Sequence, residues 1–175
     1  MKTMIALLRA VNVGGTGKLP MSELKVLCEK AGFVNVRTYI ASGNVLFESD
    51  RAEAQVKAAL EAALKKYAGK PVGVLVRSAP EMAAILAANP FPKAAPNRTV
   101  AIFLDEHPGD DALDAVTGRN GEELRLGKRE IYVHYGDGMA DSKLKIRAAA
   151  TGTARNMNTV AKLVAMSGQR APRRS

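Results

Sequence analysis

The apolar positions change their period along the chain, and those changes mark out the elements. Met4 to Leu8 is an unbroken apolar run that Arg9 ends, which predicts a strand. From Ser22 to Ala31 the period becomes helical. Leu24, Leu27, Cys28 and Ala31 fall at i, i+3, i+4 and i+7, Glu23, Lys25, Glu29 and Lys30 lie off that face, and Gly32 ends the helix. Val34–Ile40 and Val45–Phe47 are rich in β-branched and aromatic residues, and Ala41-Ser42-Gly43-Asn44 between them suits a hairpin connection. Arg51–Ala68 is Ala-rich, carries Val56, Leu60, Leu64 and Tyr67 near helical spacing, and stops at Gly69; Val72–Val76 is a further strand. The sum is β-α-β-β-α-β, the order of a ferredoxin-like half.

The second part begins again. Pro80–Ala88 predicts a helix with proline in its first turn. Residues 89–97 hold Pro90, Pro92 and Pro96 and read as a connection. Thr99–Leu104 predicts a strand, and Asp110–Val116 a short helix with Asp110, Asp111 and Asp114 at its start, where the helix dipole favours acids. Glu122–Leu126 and Glu130–Tyr135 predict a strand pair around Gly127-Lys128, and Asp141–Ala149 and Asn156–Met166 predict helices. The expected fold is α+β, with two ferredoxin-like (βαββαβ-type) halves related by an internal structural duplication. The halves are 1–78 and 99–166, residues 79–98 form a helix and Pro-rich connection, and 167–175 form a disordered basic tail.

Composition narrows the class. The chain has 175 residues, 47% apolar and 25% charged, as in an ordinary globular protein. No apolar run approaches the roughly 20 residues of a membrane span, and the apolar start is too short for a signal peptide, so the expected location is the cytoplasm, with no membrane partner. The single cysteine, Cys28, excludes an internal disulfide and lies on the apolar face of its helix, where a thiol packs as a small hydrophobe. His107 and His134 are the only histidines and are distant from it in sequence, so a catalytic thiol is unsupported and no metal site is expected. The net charge of +9 is segregated: residues 91–138 are net acidic, whereas 139–175 hold eight Lys/Arg against one Asp. Segregated positive charge attracts anionic ligands.

Three blocks carry candidate chemistry. The first is Arg9 to Lys18, where a Gly-rich loop follows a strand and precedes a helix, an arrangement that cradles anions or simply turns the chain. It is not a nucleotide-hydrolysing P-loop. Asn12 replaces the first glycine of G-x-x-x-x-G-K-[ST], Leu19 replaces the hydroxyl residue, and Pro20 removes the next N–H. The second is the Ser42-Gly43-Asn44 turn. The third runs from Gly152 to Leu163, where Thr153 reads as an N-cap and Arg155, Thr159 and Lys162 as one polar helix face. Upstream, Ser142-Lys143 would lie about 100° apart on a helix, which disfavours a Ser-Lys hydrolase. With no Trp and 5% aromatic residues, a base-stacking platform is weakly supported.

Leu7-Leu8-Arg9-x-x-Asn12-Val13-Gly14-Gly15, Gly32-Phe33-x-x-Val36-x-Thr38-Tyr39-Ile40-x-Ser42-Gly43-Asn44-Val45, Asn89-Pro90-Phe91, Ser142-Lys143-Leu144 and Thr153-x-Arg155-Asn156-x-x-Thr159-x-x-Lys162-Leu163 together resemble the bacterial domain-of-unknown-function family numbered 1697, from residue 1 to about 166. The resemblance implies a cytoplasmic, two-part α+β protein and no established activity or cofactor. Met157 stands where the family commonly has Trp. The expected ligand-binding residues are Arg9, Asn12, Gly14, Gly15, Lys18, Thr38, Ser42, Asn44, Ser142, Lys143, Thr153, Arg155, Asn156, Thr159 and Lys162, converging on one site for a nucleotide, a phosphorylated metabolite or a nucleic-acid backbone. Competing readings are a metal-independent transferase acting on a phosphorylated substrate and a structural role in which Arg9 and Arg155 tie the halves together. If nucleic acid is the partner, Arg170, Arg173 and Arg174 contribute and binding weakens steeply with salt.

Overall fold

A computed structural model describes residues 1–11 and 18–168. The elements are β1 (Lys2–Leu8), α1 (Met21–Lys30), β2 (Val34–Tyr39), β3 (Asn44–Ser49), α2 (Glu53–Ala68), β4 (Val74–Ser78), α3 (Ala79–Ala87), β5 (Thr99–Phe103), β6 (Glu123–Leu126), β7 (Glu130–His134), β8 (Thr153–Asn156) and α4 (Met157–Ser167). Among the described residues the architecture is α+β, with two four-stranded antiparallel sheets and four α-helices. The chain divides into two compact units, residues 1–83 with the chain from Leu163 onward, and residues 84–162. The disordered tail expected over 167–175 falls largely on residues 169–175, outside the described residues; Ser167 is helical.

In the first unit the strand order is β2-β3-β1-β4. Met4, Ala6 and Leu8 of β1, Val45 and Phe47 of β3, and Val74 and Val76 of β4 share one core with Leu24 and Cys28 of α1 and Val56, Leu60 and Leu64 of α2. Phe33 stacks on Phe47 with ring centroids 4.3 Å apart. The alternate residues Ile5 and Leu7 are equally buried. A strand sealed on both faces reads as a continuous apolar run rather than an alternation, which explains the Met4–Leu8 pattern. The edge strand β2 is fastened to the last turn of α4, where Arg37 Nη1 donates to the Met166 carbonyl at 2.8 Å.

The second unit has the order β6-β7-β5-β8. Val100, Ile102, Leu124, Ile131 and Val133 form its core, covered by Leu113, Val116, Leu144 and Ile146. The covering segments correct two expected helices. Residues 110–115 form turns, because one or two turns of helix with only Leu113 and Val116 to bury cannot offset the cost of nucleation. Asp141–Ala149 is not an α-helix either. A 3₁₀ turn (Gly136–Asp141) leads into an extended stretch, Thr117 and Lys145 exchange backbone hydrogen bonds at 3.1 and 2.8 Å, and a second 3₁₀ turn follows at Arg147–Ala149. The inward Leu144 and Ile146 alternate with the exposed Lys143, Lys145 and Arg147, a period of two that belongs to an extended chain. The last helix begins within one residue of the expected Asn156, but Thr153 is not its cap. Thr153–Asn156 pairs with β5 as β8, and the cap is Asn156, whose Oδ1 accepts the Thr159 N–H at 2.9 Å.

Two outcomes follow from this packing. Gly43 has φ +88°, and a Cβ there would lie 2.7 Å from Val11 Cγ2 and 2.9 Å from Leu8 Cβ. Gly43→Ala should therefore cost about 1–3 kcal/mol in urea unfolding; wild-type stability would contradict this geometry. The Cys28 thiol is fully buried and is pushed up to about 12 by burial and by the neighbouring Glu29 charge. It should resist Ellman's reagent at pH 8 until the chain is unfolded, and rapid reaction of the native protein would show that the core opens.

Candidate functional site

The first unit contains an open groove at the end of β1. The chain leaves that strand at Leu8, and the Arg9 N–H donates to the Gly73 carbonyl at 2.9 Å, pinning the departing chain to the segment that leads into β4. Arg9, Lys18 and Lys70 line a cavity of about 900 Å³ together with Val11, Leu19, Leu64, Val72 and the half-exposed Tyr67 ring. No carboxylate lines it among the described residues. Val11 and Lys18 both line the groove, so both ends of the Gly-rich segment meet it. Asn12, Gly14 and Gly15 lie outside the described residues.

The hairpin turn lies against the same end of β1. Leu8 donates its N–H to the Gly43 carbonyl at 2.9 Å, so the chain around Leu8–Val11 and the Ser42–Asn44 turn meet. Asn44 is fully buried, and its Nδ2 donates to the Tyr39 carbonyl and to Ser42 Oγ, both at 2.9 Å. These bonds hold the turn in shape. Thr38 is partly buried in β2 opposite Val45.

In the second unit the expected residues play other parts. Arg155 is buried in β8 opposite Ala101, and its Nη1 donates to Thr153 Oγ1 at 2.7 Å and to the Ala154 carbonyl at 2.9 Å. Burial lowers its guanidinium to about 10, still protonated at neutral pH. The polar helix face expected from Arg155, Thr159 and Lys162 is not formed. Arg155 precedes the helix, Thr159 is buried, and only Lys162 is exposed. Asn156 is spent on the cap described above. Ser142 Oγ donates to Glu122 Oε1 at 2.8 Å and accepts the Leu144 N–H at 3.3 Å, while Glu122 Oε2 accepts the Asn120 N–H. Lys143, beside it, is exposed.

Sequence reasoning missed Tyr67 and Lys70 in the groove and Glu122 in the second unit. Gly69-Lys70-Pro71 reads as a helix stop, and nothing local shows that it returns to Arg9. Glu122 reads as the first residue of a strand, whereas its carboxylate is the anchor of a loop. Among the described residues, no group of three His, Cys, Asp or Glu side chains could hold a metal ion, and no helix is long and apolar enough to cross a membrane.

Residues 1–132 match the model of a family described as "Protein of unknown function (DUF1697)". The solved structure of the conserved bacterial protein SP0830 from Streptococcus pneumoniae is similar across 97% of this chain and 99% of that chain, with a TM-score of 0.80 and 24% sequence identity. That likeness concerns the fold. No curated protein matches the chain.

The Glu122 carboxyl is held below the ordinary carboxylate range, first by the Asn120 N–H and then by the Ser142 hydroxyl. A carboxyl lowered in the folded state adds stability above its unfolded pKa, and that contribution is lost as pH falls through the folded value. Glu122→Gln should therefore be less stable than wild type at pH 7, with the gap closing below about pH 4. Thermal unfolding across that range checks this, and a gap independent of pH would refute it.

Proposed function

This chain belongs to the DUF1697 family of proteins of unknown function, and we propose that its first unit binds a small phosphate-bearing organic anion in the groove lined by Arg9, Lys18 and Lys70. One observation carries the reading: three cationic residues line a groove of about 900 Å³ that has no carboxylate in its described lining. The size falls within the range of small-molecule sites, which are commonly about 300–1,000 Å³. Arg9 supplies a planar fork suited to two phosphate oxygens, and Lys18 and Lys70 supply point charges. Val11, Leu19, Leu64, Val72 and the Tyr67 ring accept the uncharged part of the ligand, which favours a nucleotide or a similar metabolite over bare phosphate. Ser42 and Asn44 serve the site indirectly, by holding the turn that braces the end of β1.

In this reading Thr153, Arg155, Asn156 and Thr159 brace β8 and the start of α4. Numbered in order of appearance, the strands of both sheets follow the sequence second, third, first, fourth. That shared order supports two ferredoxin-like halves from one duplication, the second having replaced its crossover helices with turns and extended chain.

Calorimetric and thermal titration with AMP, glucose 6-phosphate and inorganic pyrophosphate tests the groove. AMP should bind most tightly and stabilise the protein by about 2.7 kcal/mol at a hundredfold excess over its Kd. Arg9→Ala and Lys70→Ala should each weaken it at least tenfold. Absence of binding by all three probes, or undiminished binding by both variants, refutes the proposal.

A further inference from the structure

The segment from Ser142 to Arg147 carries a second cationic feature, separate from the groove. Lys143, Lys145 and Arg147 are all exposed, while Leu144 and Ile146 turn inward onto the core of the second unit. In extended chain, side chains two residues apart point the same way and stand about 6.6–6.8 Å apart. Lys143 and Lys145 therefore stand in line on the extended stretch, and the exposed Arg147 continues the row at the first residue of the 3₁₀ turn. None of the three side chains makes an ion pair or hydrogen bond among the described residues. The only carboxylate in residues 139–175 is Asp141, two positions before the row.

The row is held rigidly. Ser142 is hydrogen-bonded to Glu122, and Lys145 exchanges two backbone hydrogen bonds with Thr117. Gly118 permits this close pairing: its φ is +70°, and a Cβ there would fall 2.0 Å from the Lys143 carbonyl oxygen. A backbone already held in place has little freedom left to lose when a ligand binds.

We infer that this row is a docking ridge for the backbone of a single-stranded nucleic acid. Its repeat suits successive phosphates of an extended strand, and a single line of cations follows one backbone rather than the two that flank a duplex groove. The inward turn of Leu144 and Ile146 leaves no apolar side chain between the charges to enter a lipid surface. With no aromatic platform in the segment, binding is indifferent to base sequence and depends on released counterions.

The test is fluorescence anisotropy of the full chain with a labelled 20-residue oligouridine over a salt series. Lys143→Gln, Lys145→Gln and Arg147→Gln are combined in one variant. Lys25→Gln, Lys30→Gln and Lys93→Gln, combined in a second, give the same change in net charge at other exposed positions. The first variant should bind at least tenfold more weakly, with the slope of log K against log salt reduced by about 2. The second should stay within twofold of wild type, and Lys143→Arg with Lys145→Arg should retain binding. Arg9→Ala should leave oligouridine binding unchanged, which separates failure here from failure of the groove. Equal losses in the two triple variants, no binding at 50 mM salt, or equal displacement by a duplex, by polyglutamate or by phosphatidylserine vesicles would overturn the inference.

Discussion

β1 is hydrogen-bonded to a strand on each side and buried on each face, and the first unit is arranged around that constraint. From Met4 to Leu8 the enclosed strand has no free edge and no free surface. Its contacts with β3 and β4 fix the register of both neighbours, and its even-numbered residues supply the floor of the helix-covered core. What it leaves open is its end. The chain emerges at Arg9, held by the Gly43 carbonyl at Leu8 and by the Gly73 carbonyl at Arg9. The groove lies at this end of the strand; the opposite end is also accessible, at Lys2 and Thr3.

The second sheet uses the same strand order with different connections. In the first unit α1 and α2 cross over the sheet and bury apolar stripes. In the second, turns and an extended segment do that work with side chains that include Leu113, Val116, Leu144, Ile146, Ala148 and Ala149. A helix presents its polar residues around a cylinder, whereas an extended segment sorts them strictly to one side. The basic row on residues 143–147 comes from that difference in covering.

Much of the fold is legible in the sequence where burial imposes a period. β1, α1, β2, β3, α2 and β4 lie within a few residues of the positions that apolar spacing, Gly32 and Gly69 indicate. The misreadings fall where two patterns overlap. Ser-Lys-Leu-Lys-Ile-Arg satisfies a helical composition, and its alternation becomes decisive only once Thr117 is seen beside Lys145. Thr153 and Asn156 are both acceptable caps, and pairing with β5 selects the second. At the candidate site, Arg9 and Lys18 are visible as neighbours of glycines. Lys70 is not, because its place depends on a hydrogen bond between residues 9 and 73 that no local pattern encodes.

The hydrogen bond from Arg37 to the Met166 carbonyl joins positions 129 residues apart, and the first unit includes the chain from Leu163 onward. Its core strands and helices leave the ribosome well before the segment that carries Met166. At a synthesis rate of about 5–20 residues per second, that interval is several seconds to tens of seconds. Throughout it, β2 lacks its fastening to α4. The order in which this unit is made therefore differs from the order in which it is completed, and the nascent unit spends that time as an unfinished body whose closing contact belongs to a segment made 129 residues later.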